Sequence, residues 1–242
     1  MFDQDYKIQQ KDKVVLVSVT CSTLEELNTS HKSQTSINEL KDLIKTLELE
    51  STGEFIQSRN QLDPGSIVGT GKLEEIKNYA KDKFANLLIF DLELTAGQIR
   101  KIKKITGLDV IDRCHVILEI FARHARTRES KIQIEISRLE YLLPRLSGYW
   151  THLSRQRGGV GVRGGEGEQQ IELDRRIIRR RITQLKQELK EVVNSREQQG
   201  KKRKSQVLSA ALIGYTNVGK SSLMNRMCHG NVLEENKLFA TL

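Results

Sequence analysis

Gly214-Tyr215-Thr216-Asn217-Val218-Gly219-Lys220-Ser221 fits G-x-x-x-x-G-K-[ST], the pattern of a loop that cradles nucleotide phosphates. Such a loop works only between an entering strand and a leaving helix, so it dictates the fold around it. The run 207–213 is short and apolar, suited to a buried parallel strand. Residues 220–227 read as a helix whose N-terminus turns its positive dipole end toward the phosphates. The glycines let the backbone turn tightly, so that successive N–H groups can aim at phosphate oxygens. The Lys220 ammonium reaches the β- and γ-phosphates as a point charge, and the Ser221 hydroxyl completes the coordination of Mg²⁺. Leu242 lies 22 residues past Lys220. A domain takes on the order of 100–200 residues. The expectation is a nucleotide-binding domain, residues 207–242, that this chain opens and does not finish.

Charge narrows the partners. The net charge of +9 favours a polyanion, either nucleic acid or an anionic membrane surface. No apolar run approaches the 18 residues of a spanning helix, so peripheral association is the only membrane role left open. Residues 1–13 are of mixed charge and lack the apolar core of a signal peptide. Cys21, Cys114 and Cys228 are isolated and odd in number, without a disulfide framework or a CxxC pair. The cysteine pattern fits a reducing cytoplasm.

Ahead of the loop the chain divides in two. Residues 1–112 alternate strands with helices. Strands are expected at 13–19, 52–58, 85–90 and 108–111. Helical periods run through Ile37, Leu40, Leu43, Ile44 and Leu47, through Leu73, Ile76 and Ala80, and through Ile99, Ile102 and Ile105. The fold class is α/β, with a small parallel sheet covered by helices. Ile67-Val68-Gly69-Thr70-Gly71-Lys72 is Gly-rich and ends in lysine, but lacks the full phosphate-loop spacing. A tight turn into the following helix is the preferred reading.

Residues 113–200 follow another rule. Ile132, Ile136, Leu139, Leu143 and Leu146 are spaced 4-3-4-3. Ile171, Ile178, Ile182, Leu185, Leu189 and Val192 are spaced 7-4-3-4-3. That is a heptad seam on two long helices, expected over 114–146 and 168–198 and paired as an antiparallel coiled-coil hairpin. The tip, 147–168, is different. Six of the ten residues from Gly158 to Gly167 are glycine, with Arg145, Arg155, Arg157 and Arg163 around them and Tyr149, Trp150 and His152 nearby. Glycine permits close backbone approach, arginine pairs with phosphates, and aromatic rings stack on bases. The tip reads as an RNA-contacting finger. Residues 201–206 read as a basic linker.

The residues now resemble a known family. The likeness rests on Ile67 to Lys72, on Asp91-Leu92-Glu93-Leu94-Thr95-Ala96-Gly97-Gln98 and on Val110-Ile111-Asp112-Arg113. It continues through Ile117-Leu118-Glu119-Ile120-Phe121-Ala122-Arg123-His124-Ala125, Gln133-Ile134-Glu135-Ile136, the Gly-rich tip, Glu172-Leu173-Asp174-Arg175-Arg176 and Gly214 to Ser222. The chain resembles the HflX family of translational GTPases from about residue 13 onward.

The resemblance implies a monomeric GTPase that binds the large ribosomal subunit and, when intact, hydrolyses GTP and splits or rescues ribosomes. It implies contacts of the α/β region and hairpin with 23S rRNA, the tip supplying Arg155, Arg157, Gly158, Gly159, Arg163, Gly164 and Gly165. It implies GTP held by Gly214, Tyr215, Thr216, Asn217, Val218, Gly219, Lys220, Ser221 and Ser222, with a first switch segment at Phe239, Ala240, Thr241 and Leu242. Mg²⁺ would be ligated by Ser221 and Thr241. The tip departs from the family in that Gly164-Gly165-Glu166-Gly167-Glu168 has Glu where the family often has Pro. The family's D-x-x-G and N-K-x-D segments are expected beyond Leu242, so guanine selection rests on the resemblance. Two alternatives stand beside this reading. One is a truncated, non-catalytic rRNA-binding module. The other is a different basic P-loop NTPase, such as a tRNA-modification GTPase.

Overall fold

Val14, Val15, Leu16 and Val17 are buried on both faces of the strand that centres the sheet. A β-branched, unbroken apolar run is what a parallel strand covered on both sides requires. The computed structural model describes residues 8, 12–21, 29–146, 165–204, 211–214 and 218–228. Strand β1 (Lys13–Cys21) pairs in parallel with β2 (Glu50–Arg59) on one side and β3 (Leu87–Phe90) on the other. Strand β4 (Asp109–Asp112) lies beyond β3, giving the order β2-β1-β3-β4.

Alternate residues of β1 feed two cores. Val14 and Leu16 join Leu40, Leu43 and Ile44 of α1 (Thr29–Thr46), Leu47 just after it, and Val116 and Ile120 of α4 (Arg113–His124). Val15, Val17 and Val19 join Leu73, Ile76 and Ala80 of α2 (Thr70–Asp82) and Ile102 of α3 (Ala96–Thr106). The result is a sheet between two helical layers, as the strand–helix alternation predicts.

The helix ends are specified locally. Helix α3 opens with a capping box between Thr95 and Gln98 and closes on Gly107 at φ +77. Helix α4 opens on Asp112, whose side chain accepts from the His115 backbone N–H at 3.0 Å. At the end of α2 the Phe84 N–H donates to Lys81 O and the Ala85 N–H to Ala80 O. That pair of bonds is the Schellman closure, and it puts Phe84 at φ +55.

The helix expected over 114–146 is two helices and a turn. Helix α4 ends at His124, α5 spans Arg128–Leu142, and a 3₁₀ turn covers Leu143–Arg145. The break is built by Thr127, extended at φ −82 and ψ 152, whose side chain caps α5 by accepting from the Ser130 N–H. The apolar stripes explain why a break is needed. Val116 and Ile120 face the sheet layer, whereas Ile132 and Ile136 face the second hairpin helix, α6 (Gly165–Lys204). One straight helix could not present both.

Helix α6 is longer than the expected 168–198 at both ends. Glu166 and Glu168 sit in its first turn and Lys201, Lys202, Arg203 and Lys204 in its last, each sign favoured by the helix dipole there. Gly165 and Gly167, expected in the tip loop, are therefore helical, and the expected linker is helical through Lys204. The seam holds with two differences: Ile132, Ile136, Leu146, Ile178, Ile182 and Leu185 are buried together, with Leu139, Leu143, Leu189 and Val192 against them, but Leu142, outside the expected series, is buried with them and Ile171 is only half-buried and not among them. Asp174 is buried in the seam position that interrupts the apolar series between Ile171 and Ile178. Ion pairs Arg128–Glu188 and Arg181–Glu135 flank one side, and Lys186–Glu140 and Arg196–Glu129 the other. Exposed pairs contribute about 0–1 kcal/mol each, so their main effect is to fix the antiparallel register.

Candidate functional site

The phosphate-loop residues within the described part are Gly214 and Val218 to Ser222. Gly219 sits at φ +84, a backbone state that glycine enters without strain. Helix α7 (Lys220–Cys228) starts at the next residue, and Leu223 N–H donates to Gly219 O at 2.9 Å. The Lys220 Nζ donates to Gly214 O at 2.9 Å and so draws the two ends of the loop together. Ser221 is half-buried in the first turn of α7, and Ser222 is exposed.

The strand expected at 207–213 is not seen in Ala211 to Ile213. These residues are exposed and pair with none of the four strands, and Ile213 is 95% exposed. Without a neighbouring strand the backbone groups have no ladder to join. Residues 207–210 lie outside the described residues, as do Tyr215, Thr216, Asn217, Phe239, Ala240, Thr241 and Leu242. The same holds for Arg155, Arg157, Gly158, Gly159, Arg163 and Gly164, while Gly165 is the first residue of α6.

The second Gly-rich stretch is a turn, as preferred from its spacing. Asp63 and Ile67 exchange two backbone bonds, and Ile67 takes φ +64. The Asp63 carboxylate accepts from the Gly65 N–H, the Ser66 N–H and the Ser66 hydroxyl at 2.8–3.0 Å. Gly69 caps α2, and Lys72 pairs with Glu75 at 2.8 Å with its ammonium 5.1 Å from the Phe55 ring centre. The lysine is engaged within the turn.

Hydrogen bonds from Ser66, then Gly65, hold the Asp63 carboxyl below its ordinary value. A depressed folded pKa means stability that is fully present above the unfolded value, about 3.9, and lost as pH falls through the folded value. Asp63→Asn should therefore lower Tm by a constant amount between neutral pH and about pH 5, with the gap closing in more acid solution. Thermal melts of both proteins across that range check this.

Arg145, read from sequence as part of the RNA-facing tip, is buried instead at 4% exposure. It lies 3.6 Å from the Tyr141 ring centre and donates to Leu94 O at 2.8 Å, Tyr141 O at 2.8 Å, Glu93 Oε1 at 3.0 Å and Asp112 Oδ2 at 3.3 Å. Asp112 is itself fully buried and also accepts from the Tyr141 hydroxyl, the Leu94 N–H and the His115 N–H. Burial works against the guanidinium charge, but Tyr141, Glu93 and Asp112 outweigh it and hold its pKa above the ordinary value. Beside this cluster Arg113 bonds to Asp91, Ser36 and Glu39. Burial opposes its charge too, and Glu39 and Asp91 outweigh it. The residues of 91–98 and 110–113 are thus tied together at the carboxyl ends of β3 and β4. The readable signal was Asp112 as a helix cap. Its arginine partner, 33 residues away, carried none.

Three family models match the chain in series. "GTP-binding GTPase N-terminal" matches residues 34–122, "GTP-binding GTPase Middle Region" 124–203, and "50S ribosome-binding GTPase" 209–242. The GTPase HflX of Alkalihalophilus pseudofirmus is 43% identical over 99% of this chain and 55% of that protein. The chain belongs to the HflX family of GTPases.

The GTPase HflX of Flavobacterium psychrophilum is 43% identical over 88% of this chain and 52% of its own length. That of Escherichia coli is 41% identical over 88% of this chain and 50% of its own length. The chain spans about half the length of the curated relatives it matches. The fold also resembles a solved complex of the protein SsGBP with GDP, at a TM-score of 0.51 and 23% identity over 93% of this chain and 60% of that one. An α/β chain with a parallel four-stranded sheet is what an HflX-family member should have, and a P-loop NTPase of another kind is not favoured. Among the described residues no helix is long and apolar enough to cross a membrane.

Proposed function

We propose that this chain binds the phosphates of GTP through Gly214 to Ser222 and docks on the large ribosomal subunit. The observation that carries the reading is the loop drawn closed by Lys220 on Gly214, directly before a helix N-terminus, in a member of the HflX family. Released from the Gly214 carbonyl, the Lys220 ammonium is placed to neutralise phosphate charge, and the N–H groups at the start of α7 add to it.

Among the described residues no three acidic, histidine or cysteine side chains gather as a metal cage. The Ser221 hydroxyl fits Mg²⁺, which keeps most of its water and shares its other ligands with the phosphates. Thr241 is the second proposed ligand. When bound, Mg²⁺ would neutralise charge on the β- and γ-phosphates. Hydrolysis and ribosome splitting are proposed for the longer protein that the relatives represent. The proposal includes a monomer acting in the cytoplasm, with the tip residues Arg155, Arg157, Gly158, Gly159, Arg163, Gly164 and Gly165 against 23S rRNA.

Two titrations test it. GTP should bind more tightly than ATP, measured with fluorescent analogues of both. Binding to large subunits should weaken with salt, log K falling about 0.7–0.9 units per phosphate contact for each unit of log salt. Equal affinity for the two nucleotides overturns guanine selectivity, and salt-insensitive binding overturns the rRNA contacts.

A further inference from the structure

Phe84 is 83% exposed and occupies the left-handed backbone region. Its position is the one after the helix cap in a Schellman closure, where glycine is the favoured residue. Helix α3 uses Gly107 for its own left-handed C-terminal residue. Here a bulky ring stands where glycine would be easier, and it points into solvent, so neither backbone preference nor core packing accounts for it. A strained position held without structural return is a mark of function.

The surroundings indicate the partner. Lys81 and Lys83 lie on the same turn, and both are exposed. Lys104 is exposed near the end of α3, a helix that packs against α2 and ends at the same rim of the sheet. None of the three forms an ion pair among the described residues, unlike Lys103, which is held by Asp109 at 2.6 Å. Asp82 is the carboxylate on this turn. A lone ring among cations matches an unstacked base flanked by phosphates. It does not match a bilayer, whose binding scales with a contiguous apolar face. Here the exposed neighbours of the ring along the chain, Lys81, Asp82, Lys83 and Asn86, are all polar.

We propose that Phe84 is a stacking platform for one unpaired base of RNA, with Lys81, Lys83 and Lys104 on the adjoining phosphates. The surface lies at the rim where β3 and β4 begin, opposite the rim that Arg145 joins. It rests on the ribosome-docking reading only for naming the large subunit as the source of that RNA.

The test uses two probes, a short adenine-rich single-stranded RNA carrying a fluorescent purine analogue, and purified large ribosomal subunits. The expected result is that Phe84→Gly loses on the order of tenfold or more in affinity for the single strand, as removal of one stacked base does. Phe84→Trp should retain binding, and Phe84→Gly should melt at the same or a higher temperature. Lys81→Ala and Lys83→Ala should each flatten the salt slope by about 0.7. Single-strand affinity independent of Phe84, or no binding to the single strand, overturns the proposal. So does a lower melting temperature of Phe84→Gly, which would mean that the ring packs within the protein. Phe84-dependent binding to phosphatidylserine vesicles with RNA binding unchanged overturns it in favour of a membrane contact. If the single strand needs Phe84 and subunits do not bind at all, the base platform stands and ribosome docking falls. If subunits bind and neither probe senses Phe84, docking stands and the platform falls.

Discussion

Arg145→Met should destabilise the protein by about 3–5 kcal/mol, the range found when one member of a buried ion pair is removed. Methionine keeps the apolar stem but not the planar group over the Tyr141 ring, so the loss reports the guanidinium as a whole: its charge, its hydrogen bonds and its stacking. Asp112, at 0% exposure, would keep the Leu94, His115 and Tyr141 donors but lose its cation. The carbonyl of Leu94 would lose its 2.8 Å donor as well. Urea unfolding should show a lower midpoint with an unchanged slope. Adding Asp112→Asn should recover part of the loss, because the stranded charge goes. A cost below about 1 kcal/mol for Arg145→Met would mean that the pair is no better than an exposed one.

The consequence extends beyond stability. Arg145 belongs to the turn that ends α5, while Glu93, Leu94 and Asp112 belong to the carboxyl edge of the sheet. The side chain therefore holds the base of the hairpin tip to the α/β unit. The buried cluster thus fixes the end of α5 on the α/β unit.

That role also shows where sequence reading stops. The β1 run, the sheet strands and both halves of the coiled-coil seam are legible because their signals are local and periodic. Leu40, Ile136 and Ile182 each announce burial by spacing alone. The break before α5 is barely legible, because Ala125 and Arg126 suit a helix and Thr127 alone favours a cap. Only the demand that Ile120 and Ile132 face different partners interrupts it. Arg145 misleads for a related reason. An arginine beside a Gly-rich tip looks like a phosphate ligand, and nothing nearby in the chain names Asp112 as its partner. At the phosphate loop the motif fixed Gly219, Lys220 and the start of α7 to the residue, since glycine chemistry and helix start are local. Strand pairing is not local, so residues 211–213 escaped the same reading.

Lys220→Ala should weaken GTP binding by about 1.5–3 kcal/mol, the loss of a charged hydrogen bond, or roughly ten- to hundredfold in Kd. Melting of the α/β unit should not change, because Lys220 lies in none of the three apolar cores. Two effects are combined in this variant. Removing the ammonium frees Gly214 O, which Lys220 occupies at 2.9 Å, so the loop loses its internal tie along with its charge. A tie that merely shaped the loop would be replaceable by any donor of similar length. Lys220→Arg separates the two roles. Its planar fork can still reach a carbonyl but cannot act as the compact charge that sits between two phosphates. If arginine restores triphosphate affinity, Lys220 shapes the loop. If arginine binds as poorly as alanine, the ammonium itself meets the phosphates, and the closed loop is the resting state from which it is released.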